Sequence, residues 1–132
     1  MSLIKYINLQ ELGDDRGGLV AIEELTHIPF SLKRVYYIFG TKAGVERGFH
    51  AHKELIQMAV CVKGSCTMML DNGDEKADVK LDSSSKGILI EPMVWHEMRD
   101  FSSDCVLLVL ASDVYDEADY VRDYNEFLLM RE

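Results

Sequence analysis

Short extended runs punctuated by turn residues fill most of this chain and leave little room for a long helix. Runs rich in β-branched, aromatic and aliphatic residues occupy 18–24, 32–39, 48–53, 55–63, 65–71, 76–81, 87–91, 94–99 and 104–111. The turn between two of them, Asp71-Asn-Gly-Asp74, is a strong hairpin signal, because Asn-Gly accepts the positive φ angles of a tight turn. Many short strands at this spacing predict an all-β sandwich or barrel. Only 117–130 predicts a helical segment, with Val121, Tyr124 and Leu128 spaced for one face. No linker, repeat or low-complexity stretch interrupts the pattern, so residues 1–132 are read as a single domain.

One of these runs carries chemistry. Gly44-Val-Glu-Arg-Gly-Phe-His50-Ala-His52 leads on to Gln57 and Gly64, giving the spacing G-x5-H-x-H-x4-Q-x6-G. Residues i and i+2 of a strand project to the same face, so both imidazoles point one way. The spacing resembles the first signature of the cupins, whose inward barrel face holds a metal or ligand. A degenerate second signature runs from Gly87 through Pro92 to His96, with Val94 in place of a glycine and Asp100 in place of an asparagine. The expected fold is therefore a cupin jelly-roll barrel with a short C-terminal helical segment.

Two chemistries suit the histidines. As metal ligands, His50, His52 and His96 would suit iron, zinc, nickel or copper. Metal-binding cupins usually add a glutamate where this chain has Gln57, and a neutral amide gives a divalent cation no charge compensation. As acids and bases, the same rings move protons near neutral pH without a metal. Gln57 tips the reading towards metal-free chemistry. The plain alternative is that the histidines are satisfied core residues. Trp95, the single tryptophan, either stacks on a planar ligand or packs in the core. Tyr36 and Tyr37 are adjacent, so one faces inward and the other outward. Arg47 either clamps a phosphate or makes a surface ion pair.

Composition narrows the partners. A net charge of −9 argues against nucleic acid. A small anionic ligand is still accommodated, because Arg16, Lys33, Arg34, Arg47 and Lys53 lie close to or before the histidine motif. No apolar run approaches the roughly 20 residues that span a bilayer, and the N-terminus lacks a signal-peptide layout. No membrane association and a cytoplasmic location are expected. Cys61, Cys66 and Cys105 form no C-x-x-C pair and are expected to be buried, reduced thiols.

Several separate segments together resemble one family. They are Asp15-Arg16-Gly17-Gly18-Leu19, Lys33-Arg34-Val35-Tyr36-Tyr37, Arg47-Gly48-Phe49-His50-Ala51-His52-Lys53, Val60-Cys61-Val62-Lys63-Gly64, Trp95-His96 and the stretch from Leu108 to Tyr124. They are similar to the sugar-nucleotide 3,4-ketoisomerases, the WxcM-like cupins. The resemblance implies a homodimer that exchanges N-terminal strands and acts, without metal or other cofactor, on dTDP-4-keto-6-deoxyglucose, a dTDP-linked 4-keto-6-deoxyhexose. It implies catalytic roles for His50, His52 and Tyr37, with His52 as principal base and His50 as relay, an order open to reversal. It places Arg16, Tyr36, Arg47, Gln57, Trp95 and His96 against the substrate. Arg16-Gly17 leans the product towards the galacto configuration. The alternatives are a metal-dependent, dioxygenase-like cupin, a dTDP-sugar 3,5-epimerase and a non-enzymatic sugar-binding cupin.

Overall fold

The computed structural model describes residues 3–132. Its strands are β1 (Lys5–Asn8), β2 (Glu11–Asp14), β3 (Gly17–Val20), β4 (Arg34–Phe39), β5 (Arg47–His52), β6 (Gln57–Lys63), β7 (Cys66–Asp71), β8 (Lys76–Leu81), β9 (Lys86–Ile90), β10 (Trp95–Arg99), β11 (Val106–Ala111) and β12 (Tyr120–Val121). A 3₁₀ turn, Glu117–Asp119, precedes β12, and helix α1 covers Tyr124–Arg131. One sheet has the order β1-β9-β6-β11-β4 and the other β12-β5-β10-β7-β8; β2 and β3 form a separate hairpin. No named strand belongs to both five-stranded sheets, so the jelly roll is an open sandwich rather than a closed barrel.

Strand alternation sorts the side chains into three layers. Between the sheets lie Ala59, Cys61, Met68, Leu70, Ile88, Leu107 and Val109, all buried. The outer face of the first sheet is covered by Leu9, Ile28 and Phe30, packed on Met58, Val60 and Leu110. The outer face of the second sheet carries Ala51 and Trp95, covered by Val121 and Phe127 from the C-terminal tail. Central strand β6 is thus buried on both faces over Gln57–Cys61, which explains its unbroken apolar run.

The tail departs from the helix expected over 117–130. Asp123 is extended, and its side chain accepts the Glu126 backbone N–H at 2.9 Å, so the helix starts only at Tyr124. Val121 is a strand residue, and Phe127 is the buried residue of α1. Tyr124 donates to the buried Asp71 carboxylate at 2.5 Å, tying α1 to the end of β7. Among the described residues, no helix is long and apolar enough to cross a membrane.

Candidate active site

The two histidine motifs meet across a strand pair. β5 and β10 are antiparallel neighbours, and His50 lies in register with His96. Both rings face the space between the sheets, 4.5 Å apart at their centroids. His52, two residues along β5, lies 5.0 Å from His50 and 6.0 Å from His96. Gly48 permits this approach. Its φ is +92°, and a Cβ there would sit 2.8 Å from the His96 carbonyl oxygen. The register also shifts between His96 and Glu97, and Phe49 has a φ of +62°. β5 is therefore bent where it delivers the imidazoles.

Hydrogen bonds fix the state of each ring. His50 Nδ1 contacts the Gly48 carbonyl at 3.0 Å, and His96 Nδ1 contacts the Val94 carbonyl at 3.1 Å. A carbonyl oxygen only accepts, so both Nδ1 atoms carry the proton. His52 Nδ1 faces Asp119 Oδ2 at 3.2 Å, which demands the same tautomer. Burial lowers the pKa of His50. Burial, reinforced by the positive field of His50, lowers that of His96 to about 3. His52 is likewise held well below its ordinary value, by burial first and then by His50, Arg34 and Arg122. All three rings are neutral near pH 7, each with its lone pair on Nε2.

A cleft of about 230 Å³ opens beside them, lined by Arg34, Tyr36, Arg47, His50, His96 and Tyr120, among others. His52 lines a different, smaller cavity of about 60 Å³, shared with Arg34, Asp119 and Tyr120. Tyr36 donates its hydroxyl to the buried Gln57 Oε1 at 2.6 Å, and burial raises its pKa to about 12, so it stays protonated. Arg34 Nε is buried with no hydrogen-bond partner among the described residues, a donor left free beside the cleft.

Comparison with known proteins gives the family. The family model described as WxcM-like, C-terminal, matches residues 2–132. A TDP-4-oxo-6-deoxy-alpha-D-glucose-3,4-oxoisomerase of Aneurinibacillus thermoaerophilus is 58% identical over 123 residues, covering 93% of this chain and 88% of the relative. The chain belongs to the sugar-nucleotide 3,4-ketoisomerase family. A 3,4-ketoisomerase from Helicobacter canadensis superposes with a TM-score of 0.95 at 45% identity, covering 99% of this chain and 98% of that one. A mutant 3,4-ketoisomerase from Thermoanaerobacterium thermosaccharolyticum, solved with TDP-4-keto-6-deoxyglucose, gives 0.96 at 40% identity, covering 99% and 95%.

Within this ketoisomerase fold, the residues expected at the site separate into two groups. His50, His96, Tyr36 and Arg47 border the cleft, with His52 directly behind. Gln57 does not line it; it is buried under Tyr36 and holds the tyrosine hydroxyl. Trp95 corrects the stacking expectation. It follows the opposite alternation from His96, faces the outer layer 5.7 Å from Phe127, and donates to Glu97 at 2.8 Å. Tyr37 also points away, 61% exposed beside Phe39, because Tyr36 takes the inward position. Arg16 sits in the β2–β3 turn and pairs with Asp14 at 2.7 Å, and it lines no part of the cleft within this chain.

Sequence reading missed three contributors. Asp119 and Tyr120 belong to the tail that β12 lays along β5, where Tyr120 pairs with His52. Arg34 was visible only as a nearby cation. The histidines also satisfy the geometry of a metal site, since each offers a ring nitrogen and these lie within 4.8 Å of one another. Among the described residues no carboxylate joins the set, and the Gln57 amide oxygen is taken by Tyr36. Three neutral imidazoles fit a cation less well than the usual anionic cupin set.

Proposed function

We propose that this ketoisomerase converts dTDP-4-keto-6-deoxyglucose to the 3-keto isomer, with His50 as the base. The observation that carries the reading is the neutral, Nδ1-protonated state of His50 at the wall of the cleft. The C4 ketone acidifies the hydrogen on C3, and His50 Nε2 takes that proton while the electron pair moves towards the C4 oxygen. The resulting enediolate takes one proton on the C4 oxygen and one at C4 as O3 gives up its own, leaving a carbonyl at C3 and a hydroxyl at C4. His52 serves as the second proton carrier, behind Tyr120 rather than in the cleft. This reverses the order that the family resemblance implied, which was open to reversal. Arg34 and Arg47 supply the positive field for the enolate and the diphosphate.

A cleft of this size holds a hexose ring and leaves the nucleotide across its mouth. A second protomer would cover that mouth, bringing the Arg16 hairpin of one subunit to the cleft of the other by strand exchange. Support comes from edge strand β4, whose outer face exposes Val35, Tyr37 and Phe39 in a row. In such a dimer Tyr37 would act at the interface. We assign the product the galacto configuration, following Arg16, and place the enzyme in the cytoplasm, supplying a ketosugar for amination at C3 in deoxyamino-sugar and polysaccharide biosynthesis.

The test is incubation with dTDP-4-keto-6-deoxyglucose in deuterated water, with the product followed by NMR. The expected result is a C3 carbonyl with deuterium at C4. Exchange at C3 and C5 without carbonyl migration would establish the epimerase instead. The second reading, a metal-dependent cupin, draws on the three convergent imidazoles. A stoichiometric ion on purified protein, together with activity lost to chelator, would establish it.

A further inference from the structure

The sandwich interior has a second cluster at the end opposite the histidines. Cys61 lies four residues beyond Gln57 on β6, about 13 Å along the strand. Cys66 opens β7 on the far side of the Gly64-Ser65 turn, and Cys105 immediately precedes β11. The three sulfurs come from separate strand ends, yet all lie within 4.8 Å of one another. All three thiols are buried and unpaired as disulfides. Cys61 Sγ is 3.4 Å from Cys105 Sγ and donates to the Lys63 carbonyl at 3.2 Å.

We propose that this triad is a binding site for a thiophilic closed-shell cation, zinc(II) or copper(I). Soft thiolates select such ions. A metal–sulfur bond of about 2.3 Å sets sulfur–sulfur edges of about 3.8 Å in a tetrahedral site and about 4.0 Å in a planar one. The observed triangle, with one edge at 3.4 Å and none above 4.8 Å, brackets both values. Binding forms the metal–sulfur bonds and releases the thiol protons to water.

Two turns at this end of the sandwich are tied to each other. Ser102 donates its backbone N–H to the Ser65 carbonyl at 2.8 Å, and the Ser65 N–H donates to Ser102 Oγ at 2.9 Å. These two turns hold together the ends of the strands that carry Cys66 and Cys105. The histidine cluster shares no residue with the triad, so the two sites load independently.

Equilibrium titration of the reduced, purified protein tests the proposal, with zinc(II) alone and copper(I) alone, each against a competing chromophoric chelator. Cobalt(II) then serves as a reporter of thiolate-to-metal charge transfer. The expected result is one equivalent bound with a charge-transfer band, and affinity lowered more than tenfold in Cys61→Ser, Cys66→Ser and Cys105→Ser but unchanged in His96→Asn. Should a serine variant fail to fold, alkylation of the wild-type thiols followed by mass spectrometry gives the same reading, with all three protected by metal. Absence of binding by both ions, binding lost in His96→Asn, or alkylation unaffected by metal would overturn the assignment.

Discussion

The Asp119 carboxylate holds both the ring of His52 and the backbone just beyond it. Oδ2 faces His52 Nδ1 at 3.2 Å, and Oδ1 accepts the Glu54 N–H at 2.8 Å. Oδ2 also accepts the Leu55 N–H at 3.3 Å. One acidic side chain thus fixes the His52 tautomer and the path of the chain leaving β5. An asparagine has a single acceptor oxygen, so Asp119→Asn turns its NH₂ towards either the imidazole N–H or a backbone N–H. We expect kcat to fall on the order of 10²-fold with little change in KM, read from initial rates. An equal fall in a variant that merely loosens the fold would be accompanied by a higher KM.

His50 and His52 separate by their place relative to the cleft. His50→Asn removes the proposed base at the cleft wall, and kcat is expected to fall by about 10³-fold or more. Solvent deuterium exchange at C3 falls with it. His52→Asn is expected to slow carbonyl migration more than the initial exchange at C3, because the ring acts after that proton has left. Exchange lost in His52→Asn but retained in His50→Asn would return the base role to His52.

Stability is expected to decline on the acid side. Unfolded histidine titrates near 6.5, whereas folded His96 stays neutral down to about 3. Between those values the unfolded chain binds the extra proton, so unfolding gains free energy as pH falls from 6.5 towards 3. The slope approaches about 1.4 kcal/mol per pH unit for each such histidine. Urea melts across this range read it directly, and His96→Gln is expected to make the dependence shallower. Activity is expected to fall at a lower pH than ordinary histidine titration would give, since burial lowers the pKa of both His50 and His52.

Tyr36→Phe removes the partner of a buried amide. Gln57 is 1% exposed, and its oxygen would be left unpaired. The expected loss is about 1–3 kcal/mol of stability, read from denaturant midpoints. Tyr37→Phe, on the exposed face of the same strand, is expected to change the stability of the isolated protomer by less than about 0.5 kcal/mol.

What was legible followed local rules. The alternation of His50 and His52 put both on one face, and turn chemistry at Asn72-Gly73 marked the β7–β8 connection. Two adjacent aromatics can be told apart only by register. Tyr36 faces inward because it pairs with Val109 of the inner layer, while Tyr37 pairs with Leu108 of the outer one. The same alternation sends Trp95 to the outer layer and His96 to the inner. Asp119 left no trace near the motif, because it lies 67 residues from His52 and reaches it only through a two-residue strand. Asp123 was readable in principle as a helix cap, and the apolar spacing through Val121 masked it.

The tail that lays β12 along β5 has a consequence for how the enzyme is born. The imidazoles of β5 leave the ribosome well before Asp119 and Tyr120, although these residues orient and cover them. Through Ala111 the nascent chain can pair eleven of its twelve strands into the two sheets and the hairpin, lacking only β12 of the second sheet. Competence therefore arrives only once the segment beyond Ala111 is synthesised, and a chain released before it carries its histidines without the acid that aligns them.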